Sequence, residues 1–403
     1  MKLRENLRIS VLGIGAQGSV IVKLLSNSPD VSEVVCADVN VERMEHLRDQ
    51  LKDDKITILK IDAAKREDLV KATKGIDLVI NALPGFDLTV MDAALENGTH
   101  YVDLASNYPV LECISEQLAL DAKWKSAGLT AVIEMGSTPG VSNVMARYAS
   151  DELDTVEQIH VRCGWRDLGE SGAVLKPWSP GWSPEIALLD YASDPIIFED
   201  GRLKNVPIFS GVEKYEFPSP VEEQVLSWHM HEEPVTLSRF IGKGLKCVDF
   251  KYPVDPIAAA LIKMNFASRT PLDVKGAKVA PLDVFVKLAP EAPETVEEAD
   301  AIAQGGGTGR VVCLIVDVSG EKNGRKVTHS IYTNSDTREM FRKFSTTNID
   351  VALPAAVTAL MIVRKDLDAK GVLAPECLPP TPILAELSRR GIQFYERVVR
   401  ELC

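Results

Sequence analysis

Through roughly its first 135 residues the chain alternates short apolar runs with segments of helix length, and few folds accept that rhythm. The runs are Leu7–Leu12, Val34–Ala37, Ile56–Leu59, Leu78–Ile80, Tyr101–Val102 and Leu129–Ile133. Helical segments fall between them at 17–26, 41–51, 66–73, 87–97 and 110–126. Strands buried on both faces and separated by helices predict a parallel sheet with right-handed crossovers. Six such strands predict an α/β, doubly wound Rossmann domain over residues 1–140, with its ligand crevice at the carboxyl ends of the strands.

After Gly140 the texture changes. A helical stretch, Val141–Leu153, leads into the alternating strand Val156–Trp165. Further strands are read at Lys246–Tyr252, Val284–Leu288, Val311–Val318 and Thr328–Thr333, among Pro-rich and acidic loops. This pattern predicts a second, α+β domain over 141–347 with a mostly antiparallel sheet. Glu291–Asp300 reads as a solvated acidic face. From Asn348 the chain turns helical again, at 348–364, 383–390 and 393–402, and these helices are expected to complete the first domain.

Charge excludes some partners. With 58 acidic and 45 basic residues the net charge is −13, the wrong sign for displacing counterions from nucleic-acid phosphates. No apolar run reaches the ~18–20 residues of a membrane span, and no leader precedes the first strand, so a soluble cytoplasmic protein is expected. The seven cysteines are never closer than 26 positions apart, which argues for a reducing compartment rather than a disulfide framework.

Gly13-Ile14-Gly15-Ala16-Gln17-Gly18 follows the first strand and opens the first helix, and Asp38 stands 20 residues further on, at the end of the second strand. Strand, glycine turn, helix and distant acid together form a dinucleotide fingerprint. Gly13 permits the turn, Gly15 admits the pyrophosphate, and Gly18 lets helix and strand approach. Asp38 can accept both ribose hydroxyls and repels a 2′-phosphate, which favours NAD over NADP. Arg43, five residues on, softens that preference. Asp62-Ala63 and Asn81-Ala82-Leu83-Pro84 end the third and fourth strands, where they would border adenine and the nicotinamide-side ribose.

Glu134-Met135-Gly136-Ser137-Thr138-Pro139-Gly140-Val141-Ser142-Asn143, with Tyr101-Val102-Asp103-Leu104-Ala105 upstream, resembles the saccharopine dehydrogenase family, and most nearly its lysine 6-dehydrogenase branch. The likeness continues through Trp182-Ser183-Pro184-Glu185 with Tyr191, through Thr236-Leu237-Ser238-Arg239, and into Pro375-Glu376. It implies an NAD(P)-dependent oxidoreductase acting on a C–N bond of an amino acid or amine, usually a homodimer. Saccharopine reductases of this family carry Asp where this chain has Thr138, at a substrate-facing turn, so saccharopine itself is an uncertain substrate.

Amine oxidation needs a neutral nitrogen, and a lysine amine has a pKa of about 10.4. Asp103, ending the fifth strand, is the first candidate to orient or deprotonate the amine, or else it caps the following turn. Lys176 and His229 are the other titratable candidates. His229 and His231 would point the same way in a strand and could bind a metal, but a solvated loop is the expectation, because no third ligand stands at a zinc spacing. A substrate carboxylate would want a bidentate Arg: Arg239 first, Arg166 second. Trp178 and Trp182 either wall the pocket or anchor a rigid loop.

Three readings follow. The first is a lysine 6-dehydrogenase-like enzyme that takes an amine to an imine. The second is reductive condensation of an amine with a carbonyl compound, as in saccharopine or carboxynorspermidine formation. The third is a non-catalytic NAD-binding sensor.

Overall fold

The computed structural model describes residues 7–167, 183–289, 310–344 and 349–402. The first six strands are β1 (Leu7–Leu12), β2 (Val31–Asp38), β3 (Ile56–Lys60), β4 (Leu78–Asn81), β5 (His100–Asp103) and β6 (Thr130–Val132). Helices Ala16–Ser26, Val41–Leu51, Arg66–Thr73 and Asp87–Asn97 cross between them, and the fifth crossover breaks at Leu120 into Val110–Ala119 and Asp121–Ser126. All these strands pair in parallel. Strand interiors such as Ile9, Val11, Leu78 and Ile80 are fully buried, as a sheet covered on both faces requires.

Helix Val141–Asp151 crosses to the second unit. Its strands are β7 (Thr155–Asp167), β8 (Ile196–Glu199), β9 (Arg202–Asn205), β10 (Glu213–Glu216), β11 (Glu223–Trp228) and β12 (Cys247–Pro253). The hairpin β13 (Leu272–Val274) and β14 (Ala277–Val279) stands apart, and β15 (Arg310–Lys322) and β16 (Arg325–Asp336) form a long ribbon against β7. The chain then returns. Helix Ile349–Val363 packs on helix Ala16–Ser26 and on β4 and β5, and β17 (Gly371–Leu373) adds a parallel strand beside β6. The last strand, β18 (Tyr395–Arg400), goes back to the second sheet.

The first sheet therefore runs β17-β6-β5-β4-β1-β2-β3, and the second runs β10-β11-β12-β7-β15-β16-β18 with β8 and β9 attached to β12. The second is mixed: β7 and β12 are parallel and the other pairs antiparallel. One apolar core spans both units, from Val102 and Val132 through the buried helix Ile349–Val363 to Val161 and Val316. Among the described residues no helix is long and apolar enough to cross a membrane.

Two elements differ from the sequence reading. Val284–Leu288 belongs to a helix, Pro281–Leu288, which starts on a proline and buries Leu282 and Phe285 one turn apart against Leu188. Residues 393–402, read as a helix, hold β18 instead. The adjacent Val398 and Val399 favour a strand, and β16 offers an unpaired edge for six residues. The acidic stretch Glu291–Asp300 lies outside the described residues.

Candidate active site

Strand order in the first sheet reverses between β1 and β4, so the crevice opens at their carboxyl ends. Gly13 leaves β1 with a φ of +88°, and a Cβ there would lie 2.9 Å from both the Ala82 carbonyl and Leu83 Cδ2. Gly18 packs so closely beneath the loop that a Cβ would sit 1.8 Å from the Gly13 carbonyl oxygen. At Gly15 nothing lies within 4 Å of that point. The loop is thus closed against its neighbours and open where a pyrophosphate would approach. Helix Ala16–Ser26 has no side-chain cap, which leaves its first N–H groups and positive dipole end for phosphate. Gln17 Oε1 is buried without a partner.

Asp38 is buried at the end of β2, where Oδ2 accepts the Ile14 N–H (2.7 Å) and Oδ1 the Asn40 N–H (2.8 Å). Each oxygen keeps a lone pair for a ribose hydroxyl. Arg43 is half-buried in the first turn of helix Val41–Leu51, its N–H donated to Asn40. Asp62 lies in the loop after β3, tied to Lys65 (3.2 Å) and to the Ala64 N–H, with Ala63 half-buried beside it. Asn81 faces inward, donating to Asp87 (2.9 Å) and Tyr101 (3.3 Å) and accepting the Leu83 N–H. Its side chain braces the loop, while Ala82 and Leu83 meet Gly13 and Pro84 is exposed. These residues fit a nicotinamide dinucleotide, which when bound exchanges hydride with a substrate carbon.

Asp103 is buried with both oxygens engaged. Oδ1 accepts the Glu134 N–H (2.5 Å), and Oδ2 accepts Tyr101 Oη–H (2.8 Å) and Gln117 Nε2–H (2.8 Å). Burial, and after it the charge of Asp87, raises its pKa well above the usual carboxylate range. Its geometry is that of a brace. It holds Glu134 in the left-handed region, at φ +60°, a conformation that non-glycine residues adopt only when their surroundings impose it.

Three segments far apart in sequence meet beyond Glu134. The turn after β6 leads into helix Val141–Asp151, where Asn143 Oδ1 accepts the Gly140 N–H (3.0 Å) and its amide donates to Thr236 (3.1 Å) and Glu376 (3.0 Å). Glu233, fully buried, accepts the hydroxyls of Thr138 and Ser142 on one oxygen and His231 Nδ1 on the other (2.6 Å). Tyr108 donates to Asp190 nearby. Burial alone would depress His231, but the carboxylates of Glu233 and Glu232 outweigh it and lift the ring to about 9. Burial works against Glu233 too, yet His231 holds it below the ordinary range. The remaining acids go the other way. Burial pushes Glu376 and Asp190 up to about 7, burial and then the charge of Glu232 raise Glu134, and burial with the charges of Glu233 and Asp190 raises Glu232.

The other sequence candidates separate. His229, expected in a solvated loop with His231, is buried, stacked on Tyr252 (5.0 Å between ring centroids) and edge-on to Tyr191 (4.4 Å). Burial, then the His231 charge, hold it neutral. His231 lies flat on Phe250 at 3.8 Å, so these rings avoid water by aromatic packing. Among the described residues His231, Glu232 and Glu233 could group around an ion, but His231 and Glu233 are already joined as an ion pair. Arg166 is at the surface, paired with Glu222 (2.8 Å) and the Pro220 carbonyl. Arg239 is exposed over the Phe240 ring, with no carboxylate partner among the described residues. Lys176, Trp178 and Trp182 lie outside the described residues. The sequence reading missed Glu134, Glu232, Glu233 and Glu376 as functional groups, although Glu134 and Glu376 stand inside stretches that it quoted.

Comparison with known proteins agrees with this architecture. Residues 9–132 match the saccharopine dehydrogenase NADP binding domain, and residues 136–392 match the saccharopine dehydrogenase C-terminal domain. Carboxyaminopropylagmatine dehydrogenase of Synechocystis is 27% identical over 97% of this chain and 98% of its own length. Carboxynorspermidine synthase of Vibrio cholerae is 28% identical over 95% of this chain and 96% of its own. Apo saccharopine dehydrogenase (L-Glu forming) from Saccharomyces cerevisiae superposes with a TM-score of 0.71, at 18% identity, over 98% of this chain and 100% of that one, and so shares the fold. The glycine cradle, the two-sheet architecture and the matched domains agree: this chain belongs to the saccharopine dehydrogenase family of oxidoreductases.

Proposed function

We propose that the protein catalyses the NAD(P)H-dependent reductive condensation of a polycationic amine with an amino-acid aldehyde. The observation that carries this reading is the surplus of buried carboxylates beyond the dinucleotide crevice, at Glu134, Glu232 and Glu376. Such a surplus suits an amine with more than one positive charge better than it suits lysine, whose own carboxylate it would repel. The names of the two relatives describe carboxylated polyamines, which supports the condensation reading over the lysine 6-dehydrogenase one. A carboxyaminopropyl group arises when the aldehyde of aspartate semialdehyde condenses with a primary amine and the imine is reduced.

The neutral amine attacks the aldehyde carbon, a proton is delivered as water leaves, and hydride adds to the imine carbon. Asp190, with a pKa near neutrality, and the raised Glu232 can exchange the protons of these steps. For the substrate carboxylate the proposed partner is Arg239, which is exposed and has no carboxylate partner among the described residues.

The test is oxidation of NADH and NADPH with aspartate semialdehyde plus agmatine or 1,3-diaminopropane, the product being identified by mass spectrometry. A secondary amine formed only when both substrates are present supports the reading. Lysine-dependent reduction of NAD with release of ammonia would establish the dehydrogenase reading instead. Dinucleotide binding without any turnover would leave a sensor.

NAD is the proposed preference, because the Asp38 carboxylate meets the adenosine ribose. Asp38→Ser should raise the kcat/KM ratio of NADPH to NADH by ~10-fold or more, since it removes a charge that repels the 2′-phosphate. An unchanged ratio would assign the carboxylate to bracing the Ile14 and Asn40 amides alone.

A further inference from the structure

We infer that Glu134 and Glu376 form a built receptor for the distal cation of the amine substrate, the charged group farthest from the reacting nitrogen. This rests on the condensation reading and adds to it the residues that select the amine.

Each carboxylate has one oxygen tied and one without a partner. Glu134 Oε1 accepts the Ser106 hydroxyl (2.9 Å), and its Oε2 is buried with no hydrogen bond. Glu376 Oε2 accepts the Asn143 amide (3.0 Å), the Thr236 hydroxyl also bonds this carboxyl, and Oε1 is buried with no hydrogen bond of its own. Both residues are fully buried, and the charges of Glu232 and Glu376 are felt at Glu134. An unmatched buried acceptor costs about 1–3 kcal/mol, and more when charged, so two such oxygens on residues that feel each other's charge call for a donor.

In the second sheet, by contrast, the buried charges of Asp249, Arg162 and Lys251 are all paired. Asp249 takes Arg162 (2.7 Å), and Glu213 takes Arg162 (2.5 Å) and Lys251 (2.8 Å). Around Glu134 and Glu376 the cations are His231, bound to Glu233, and Arg147, whose guanidinium donates to the Glu376 backbone carbonyl (2.6 Å), to the Phe240 carbonyl and toward Asp151. Neither donates to the two unmatched oxygens. A primary ammonium or a guanidinium presents several N–H donors and a full positive charge, which is what two half-satisfied carboxylates lack. Tying one oxygen of each through Ser106 and Asn143 fixes the direction of the other before the ligand arrives, which lowers the ordering cost of binding.

The experiment compares agmatine and 1,3-diaminopropane with butylamine and propylamine, which lack the second charge. Steady-state rates with aspartate semialdehyde and NADH, with NADPH in parallel, are measured alongside calorimetric binding of each amine to the protein. Wild type should favour the dications by ~100-fold or more in kcat/KM. Glu134→Gln and Glu376→Gln, which keep side-chain volume and remove charge, should each reduce that ratio by ~30-fold, the scale measured for one partner of a desolvated charge pair. The same variants should weaken agmatine binding by a similar factor. Equal treatment of monoamines and diamines by wild type overturns the inference without recourse to any variant, as does a ratio that survives in both folded variants. If no amine is turned over, the condensation reading fails, and calorimetry still decides the receptor: agmatine must bind wild type and be lost in Glu134→Gln.

Discussion

Asp249→Asn should lower the unfolding free energy by about 3–5 kcal/mol, read as a shift of the urea midpoint, while leaving dinucleotide affinity intact. Asp249 lies on β12, almost fully buried, and accepts from Arg162 (2.7 and 3.4 Å), His160 Nδ1 (2.7 Å) and Trp228 Nε1 (2.9 Å). Arg162, on the adjacent β7, is only 3% exposed and gains its remaining charge balance from Glu213. Asparagine offers one carbonyl oxygen where two anionic oxygens were engaged, so the guanidinium is left buried and under-compensated. The pH dependence has a definite sign. Burial raises the carboxyl, but Arg162 and His160 outweigh it and hold the folded pKa far below the unfolded value near 3.9. The contribution is therefore complete above about pH 5 and is lost as pH falls through the unfolded pKa toward the folded one. A wild-type acid midpoint that does not move in Asp249→Asn would show that other carboxylates govern acid unfolding.

Gly18→Ala should cost ~100-fold or more in dinucleotide affinity, about 2.7 kcal/mol, a loss larger than one methyl group would suggest. The added carbon would lie 1.8 Å from the Gly13 carbonyl oxygen and 2.9 Å from its carbon, both of them backbone. No rotamer relieves such a clash. Either the helix moves off the sheet or the loop opens, and the loop cannot close again because Gly13 is held against Ala82 and Leu83. Gly15→Ala is the informative contrast, since nothing lies within 4 Å of its Cβ position. It should fold with wild-type stability and lose affinity through contact with the ligand alone. Calorimetric titration of NADH and NADPH, with thermal midpoints for each variant, separates the two mechanisms. Equal dinucleotide affinity in Gly18→Ala and wild type would mean that the loop has a slack which the packing does not reveal.

These two sites differ in how far they could be read from the chain. The glycine cradle is legible because its parts are local: six consecutive residues, a strand before them, a helix after, and Asp38 at the next strand end. The first sheet is legible for the same reason, since double-sided burial writes continuous apolar runs such as Leu78–Ile80 into the sequence. The carboxylate group is another matter. Its members come from the ends of β6 and β11 and from a turn near residue 376, and an isolated Glu looks the same in sequence whether it is solvated or buried. Asp103 was visible as a strand-end acid, but its service to the Glu134 backbone depends on a contact across 31 positions. His229 and His231 misled because an aromatic floor made of Phe250 and Tyr252, from the neighbouring strand β12, turns an apparent polar loop into interior. Strand β18 failed in a related way. Tyr395-Glu396-Arg397-Val398-Val399-Arg400 has the charge spacing of a surface helix, and only the vacant edge of β16, more than 60 residues earlier, makes it a strand.

The return of the chain through β17 and then β18 has a consequence for how the protein is made. A ribosome delivers β1–β6 long before Gly371, so the nascent first sheet waits with β6 as an open edge and without the apolar helix Ile349–Val363 that covers β4 and β5. The second sheet waits still longer, with β16 uncovered until Tyr395–Arg400 emerges. Neither layer can be finished during translation of its own stretch of message, and both are completed by the same later stretch, Gly371–Arg400. Until then the unfinished edges are templates for mispairing between neighbouring polysomal chains.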